Sequence, residues 1–315
     1  MNTKGKFLAF ATTGFLAIGP AVAQSETNPT NPLVGVWQLY WMRDHMATQV
    51  TTCDFLGGKP TGILICLPSG VYSTQILAGP PPVQKTPGIL PFATDKEKIN
   101  ALFGYFAHFG TYSTDNLNVT WHIQAGLGPD WVGVDDTMSY QVSGDKLITS
   151  QILEWGGNTF ERRVEWRRLD VEPKGQVYSL TRVEVLAPDG TPDPEQGKWM
   201  GDHPTGQLID LSAGYYSLQV MQDPHLPSFS IWGAPKKHKL AAALGYYADY
   251  GTYTYDPATA TAISHMLGSL WPNLRGHDLK THPQLDGDRF IHTTDPIDAG
   301  KGKALVYRWT WEVVK

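Results

Sequence analysis

Cysteine is almost absent: the chain has two, Cys53 and Cys66. Two thiols cannot build a Cys-based metal centre or a Cys-x-x-Cys redox site. A disulfide between them fits an oxidising compartment, and so does a buried thiol at Cys66 with a loose one at Cys53. Charge is also scarce, at 17% of residues, with a net charge of −5 and a pI near 6.0. No long basic run is present, so a nucleic-acid partner, which would need a positive footprint, is not expected. After residue 23 no apolar run is long enough to cross a bilayer as a helix, so no stable membrane anchor is expected. The sequence has no Gly-x-Ser-x-Gly elbow and no phosphate-binding glycine loop, which removes the usual signatures of a serine hydrolase and a nucleotide enzyme. His277 and His282 are five apart, wide of the helical pair that binds zinc, and Asp135-Asp136 are adjacent rather than facing. No metal site and no cofactor are expected.

What is abundant is glycine (32), proline (23) and aromatic residues (11%). That composition favours strands and tight turns over helix bundles. It is also repeated. Gly104-Tyr105-Phe106-Ala107-His108-Phe109-Gly110-Thr111-Tyr112 recurs as Gly245-Tyr246-Tyr247-Ala248-Asp249-Tyr250-Gly251-Thr252-Tyr253. Pro60-Thr61-Gly62 recurs as Pro204-Thr205-Gly206, and the Ser143-Gly144-Asp145 turn as Asp286-Gly287-Asp288. The chain is therefore a tandem duplication of a unit of about 140 residues, an ordinary domain size.

Residues 1–23 read as a signal peptide. Lys4 and Lys6 precede the apolar stretch Phe7 to Gly19, and Ala21-Val22-Ala23 is a small-residue cleavage site. The mature chain is expected to begin near Gln24 and to be periplasmic or secreted; an uncleaved anchor is the other reading. Residues 24–32 read as a disordered lead-in, 33–170 as the first unit and 176–315 as the second.

In the first unit, Leu33 to Trp41 alternates as a strand. Thr61 to Cys66 and Gly70 to Ile76 form a hairpin. Ala78 to Pro91 is a proline-rich loop. Thr94-Asp95-Lys96-Glu97 opens a helix with a capping box. Ile99, Leu102, Phe103 and Phe106 form the buried face of this helix and Gly110 its stop. Later strands are expected at Thr111 to Ser113, Asn118 to Gln124, Thr137 to Val142, Lys146 to Ile152 and Thr159 to Leu169. The second unit repeats this order from Val177, with Pro235 opening its helix and Leu240, Ala243, Leu244 and Tyr247 on the buried face. About eight antiparallel strands and one helix per unit describe a small closed barrel, which either fills with side chains or holds one small ligand.

Gly35-x-Trp37, the Pro-Thr-Gly hairpin, Tyr-x-x-x-Gly-Thr-Tyr, a strand carrying His122, and Pro129-Asp130-Trp131-x-Gly133 resemble the bacterial and fungal lipocalin-like domain family. The likeness covers nearly all of the first unit. The second departs at its missing Gly-x-Trp and at Pro272-Asn273-Leu274-x-Gly276. The resemblance implies two tandem, mainly β, antiparallel barrels and implies little about activity. It also implies that Arg167 or Arg168 stacks on Trp37 to close one barrel end.

Strand alternation groups Thr120, His122 and Gln124 on one face and Trp121 and Ile123 on the other. If Trp121 packs outside, His122 faces the lumen. Candidate ligand-binding residues are therefore His122, Tyr112, Trp131 and Gln124, with His265 and Tyr253 as repeat partners. His122 and Tyr112 are also the candidate catalytic pair. A hydrogen-bonded structural role for His122 and Tyr112 is the competing reading. The expected function is binding of a small, mostly apolar or aromatic molecule. The alternative is a cofactor-independent cyclase, isomerase or lyase using a lumen His or Tyr as acid or base. The first barrel, centred on His122, Tyr112 and Trp131, is the expected site. The second is its stabilising partner, with Tyr215, Tyr247, Tyr250 and Tyr255 facing the junction. Oligomeric state is open.

Overall fold

The computed structural model describes residues 31–46, 50–52, 56–155 and 158–315. The expected signal peptide, most of the expected lead-in and Cys53 lie outside the described residues. Cys66 is a buried free thiol. No helix among the described residues is long and apolar enough to cross a membrane.

The first unit contains β1 (Gly35–His45), β2 (Val50–Thr52), β3 (Thr61–Cys66), β4 (Val71–Leu77), α1 (Asp95–Phe103), β5 (Tyr105–Thr114), β6 (Asn118–Gly126), β7 (Asp135–Ser143), β8 (Lys146–Trp155) and β9 (Asn158–Arg168). Strands β1, β3, β4, β5, β6, β7, β8 and β9 pair antiparallel in that order, and β9 returns to β1. This is a closed barrel of eight strands, with β2 added to one end of β1. The second unit contains β10 (Gly175–Leu186), β11 (Thr205–Leu211), β12 (Tyr215–Met221), α2 (Lys236–Leu244), β13 (Tyr246–Asp256), β14 (Thr261–Ser269), β15 (Asp278–Asp286), β16 (Arg289–Thr294), β17 (Ile297–Gly300) and β18 (Lys303–Val313). It closes in the same way through β10 and β18, with β17 appended to β18. Closure leaves no long unpaired barrel edge.

Both first strands carry a bulge at the equivalent place, between Leu39 and Trp41 and between Leu180 and Arg182. An extra residue inverts which side chains face in. Trp37 and Leu39 point inward before the bulge; after it the inward residues are Met42 and Asp44, while Tyr40 is 61% exposed.

The helix differs from the sequence expectation at its end. The capping box is present: Glu97 N donates to the Thr94 hydroxyl at 3.3 Å and Thr94 N to the Glu97 carboxylate at 2.9 Å. The helix stops at Gly104, not Gly110, and Phe106 is a strand residue. Likewise Tyr247 belongs to β13, after the stop at Gly245. Gly110 has another task. It sits at a bulge in β5, where a Cβ would lie 2.1 Å from the His122 carbonyl oxygen, so only glycine lets β5 and β6 approach.

The two barrels pack side to side. Val36, Ile63, Ile65 and Leu67 from the first meet Val177, Ile209, Leu211 and Tyr250 from the second. Strands β3 and β4 are thus buried on both faces, which is why they read as nearly unbroken apolar runs. Of the four tyrosines expected at the junction, Tyr250 is in this core and Tyr215 packs at its edge. Tyr247 instead faces the second barrel's aromatic interior, and Tyr255 is exposed. The helices also touch, with Lys236 and Asp95 paired at 2.9 Å. The loops before the helices cross over. Asn273 of the second unit donates to the carbonyls of Thr86 and Gly88, both at 2.9 Å. Gly88 has φ +89 and runs so close to Ala299 that a Cβ would sit 2.2 Å from its backbone. In return, Ile231 and Trp232 of the second unit lie over the first barrel.

Candidate functional site

One end of the first barrel is sealed. Trp37 is fully buried, its indole N–H donates to the Leu33 carbonyl at 2.9 Å, and the Arg168 guanidinium stacks on it at 4.0 Å. Arg168 also donates to the carbonyls of Val34 (2.6 Å) and Pro32 (2.8 Å). Of the two arginines implied by the family resemblance, Arg168 closes this end. Arg167 lies outside over Tyr40 and pairs with Glu165. Tyr112 belongs to the same seal: its hydroxyl donates to the Leu67 carbonyl at 2.8 Å.

Above this floor lies a cavity of about 850 Å³. Its aromatic walls are Tyr72, Phe106, Trp121, Trp131, Phe160 and Trp166. Met42, Leu64, Ile76, Ile123, Met138 and Val164 supply aliphatic and thioether surface. The roof is Leu102 and Phe103 of α1 together with Ile231 and Trp232 from the second unit; the Phe103 and Trp232 rings lie 5.0 Å apart. Trp131 packs over Phe106 at 4.9 Å, and Gly128 leaves room for it, since a Cβ there would strike the indole at 2.5 Å.

Three hydrogen-bonded polar pairs stand out in the largely apolar lining. The Tyr72 hydroxyl and His108 Nδ1 are hydrogen-bonded at 2.7 Å. His108 is 5% exposed, and burial brings its imidazole pKa down to about 3, so it is neutral near pH 7. Its Nε2 has no hydrogen-bond partner among the described residues. Arg162 and Asp44 form a bidentate pair at 2.8 and 3.1 Å. Asp136 accepts from Gln151 at 2.5 Å, and burial raises its carboxyl above the usual range.

The expected site residues fall in different places. Trp131 lines the cavity. His122 does not: it is on the outer face of β6, its Nδ1 2.7 Å from Asp135 and its Nε2 3.0 Å from Ser113, and its side chain is 39% exposed. Gln124 is exposed beside it. Trp121 and Ile123 are the inward pair, because the outer face of this strand meets water and the apolar set goes inside. His265 repeats the outward arrangement with Asp278 at 2.6 Å. Tyr253 repeats Tyr112, donating to the Leu211 carbonyl at 3.3 Å. His122 and Tyr112 do not converge on the cavity. His108, Tyr72, Asp136 and Arg162 are among the polar residues that do line it. A period-two reading of Phe106-x-His108 from a helix stop at Gly104 would have found the first.

The second barrel has a different interior. Strand register makes Trp309 the counterpart of Val164, Tyr307 of Arg162 and His292 of Thr149. Each replacement is larger or aromatic. Trp309 lies 5.5 Å from Tyr247 and stacks on Tyr307 at 6.2 Å and Trp311 at 6.2 Å. Trp199, from the connection before β11, inserts against Tyr247, Trp271, Tyr307 and Trp309, and its indole N–H donates to the Leu244 carbonyl at 2.9 Å. The position of His108 is taken by Asp249, a buried carboxyl that accepts from Tyr247. Among the described residues no cluster of three or more metal-ligating side chains occurs in either barrel.

No curated protein matches the chain. The solved structures that align with it include two of low sequence identity. A Bacteroides fragilis NCTC 9343 protein, provisionally assigned as an outer membrane protein, is 8% identical over 90% of this chain and 100% of that one, with a TM-score of 0.24. A Nostoc punctiforme PCC 73102 protein of the DUF3598 family, of unknown function, is 10% identical over 90% of this chain and 97% of that one, with a TM-score of 0.21. The model of the lipocalin-like domain matches residues 34–169 and again 177–313, the spans that form the two barrels. The chain belongs to the lipocalin-like domain family and carries two tandem copies of its barrel.

Proposed function

We propose that this protein is an exported small-molecule binder that holds one largely apolar or aromatic molecule in its first barrel. The observation that carries the reading is the contrast between the barrels. The first encloses about 850 Å³ behind aromatic and aliphatic walls, within the range of small-molecule sites. The second has tryptophan and tyrosine where the first has Val164 and Arg162. The second unit then serves the first: it buries the outer face of β3 and β4 and lends Ile231 and Trp232 to the roof. The expected catalytic pair, His122 and Tyr112, does not meet in the cavity, and the buried histidine that does line it is held neutral to about pH 3, too weak a base for proton abstraction near neutrality. Binding is therefore favoured over acid–base catalysis. Export rests on the leader-like residues 1–23.

The test uses the neutral fluorescent probe N-phenyl-1-naphthylamine. The expected result is one probe per chain, with binding lost in Val164→Trp, which places in the first barrel the side chain that the second already has. Two probes per chain, or equal binding by wild type and Val164→Trp, would overturn the assignment. Native mass spectrometry of protein from its own host would identify a retained molecule.

A further inference from the structure

We infer that the preferred ligand of the first barrel is a monocation, an amine on a flat aromatic body, whose ammonium group sits at Asp136. The inference rests on the carrier reading above and adds the chemistry of the head group.

The charge lining the cavity is unbalanced. Among the described residues that line it, the acidic and basic side chains other than the neutral His108 are Asp44, Asp136, Glu154 and Arg162. Arg162 is the one cation among them, and its bidentate pairing matches it to Asp44. Asp136 has no cationic partner among the described residues. One of its oxygens accepts from Gln151, and the other has no hydrogen-bond partner among the described residues. Glu154 stands exposed near the end of β8 and adds charge of the same sign. Low-dielectric walls around uncompensated negative charge focus the field and favour a cationic guest.

The wall chemistry agrees. Trp121 is the cross-strand partner of Asp136, and its ring lies 4.6 Å from that of Tyr72. Indole and phenol faces attract ammonium groups, more strongly when water is excluded. The remaining wall, from Phe106 and Trp131 to the roof, offers flat apolar contact for an aromatic body.

His108 is an independent sign that the cavity is built for a polar guest. It is almost fully buried, lines the cavity, and leaves Nε2 unpartnered. Nε2 is reachable from the cavity, where a ligand or water can complete its hydrogen bonding. The pair it forms with Tyr72 presents one donor and one acceptor whichever tautomer it holds. If the Tyr72 hydroxyl donates to Nδ1, Nε2–H remains a donor and the phenol oxygen an acceptor. In the other tautomer the hydroxyl donates and Nε2 accepts. Being neutral, His108 does not repel a cation.

The test is displacement of N-phenyl-1-naphthylamine by three probes with one body: 1-naphthylmethylamine, 1-naphthalenemethanol and 1-naphthoate. The amine is expected to bind at least tenfold tighter than the alcohol, and the carboxylate most weakly. In Asp136→Asn the ratio of amine to alcohol affinity should fall to within threefold of unity, and Asp136→Glu should restore part of it. The wild-type ratios stand alone if a variant folds poorly. Equal affinity for all three probes would overturn the head-group inference while the carrier reading survives. A reversed order, with the carboxylate tightest, would overturn it too and assign the guest to Arg162. Failure of wild type to bind N-phenyl-1-naphthylamine at all would remove the carrier reading and this inference together.

Discussion

Ser73 and Ser217 are repeat equivalents, and their hydroxyls hydrogen-bond to each other at 2.6 Å across the boundary between the barrels. Around them the polar contacts are reciprocal. Gln75 Nε2 donates to Ser217 Oγ at 2.7 Å and to the Asp249 carbonyl at 2.8 Å. Gln219 Nε2 donates to Ser73 Oγ at 2.6 Å and to the His108 carbonyl at 3.2 Å. Tyr105 donates to the Gln75 carbonyl oxygen at 2.7 Å and Tyr246 to that of Gln219 at 2.8 Å. The units therefore face one another about a local pseudo-twofold axis, the arrangement of a self-complementary dimer joined into one chain. It also ties the backbone of His108, a cavity residue, to the second barrel.

Removing one member of this buried network leaves the others unsatisfied. Gln75→Ala strands the Tyr105 hydroxyl and uncovers the Asp249 carbonyl, and the expected loss is about 2–4 kcal/mol. Urea unfolding of Gln75→Ala, Gln219→Ala and the double variant measures it. The double variant should lose less than the sum, because both residues depend on the Ser73–Ser217 contact. Strict additivity would show that the two halves of the network are independent.

α1 is the other element whose loss the fold should register. Leu102 is fully buried on its inner face and forms part of the cavity roof. Leu102→Ala removes apolar burial and enlarges a void, so it should destabilise by about 2–4 kcal/mol in the same assay. A change under about 0.5 kcal/mol, the size typical of surface positions, would make the helix peripheral.

The duplication and the Thr94 capping box are legible in the sequence as local patterns, and the two barrels as a count of strands; the closure over Trp37 comes from the family resemblance, which leaves Arg167 and Arg168 open until the structure selects Arg168. The lumen is less legible. The orientation of His122 depends on where Trp121 packs, and because the outer face around His122 and Gln124 meets water the indole goes inward. His108 was obscured by extending the helix past Gly104, since an aromatic run fits helix and strand alike. Asp44 and Arg162 became legible only with the bulge at Leu39, which resets the alternation of β1 and pairs Asp44 with Arg162 across β9. No count of residues along one strand reveals a shift imposed by two.

The buried ionisable groups predict opposing responses to pH. Burial brings His108 and His292 down to about 3 in the folded chain, below the value of about 6.5 for a free imidazole. Between those values the unfolded chain binds more protons, so this part of the stability is present above about pH 6.5 and is lost as pH falls towards 3. Asp249 has the opposite sign. Burial pushes it up to about 7, against the pull of the Tyr247 and Tyr216 hydroxyls, while a free aspartate titrates at about 3.9. The folded chain then holds a proton that the unfolded chain has released, so its contribution is present below about pH 4 and is lost as pH rises through 7. Asp249→Asn mimics the protonated acid at every pH. Relative to wild type it should gain about 1.4 kcal/mol per pH unit between about 4 and 7. His292→Gln should gain on wild type in the other direction, as pH falls below about 6.5. Urea midpoints at pH 4.5, 6 and 7.5 for the three proteins provide the comparison. Parallel curves for Asp249→Asn and wild type would mean that Asp249 titrates alike in the folded and unfolded chains, and that its burial beside Tyr247 does not shift it.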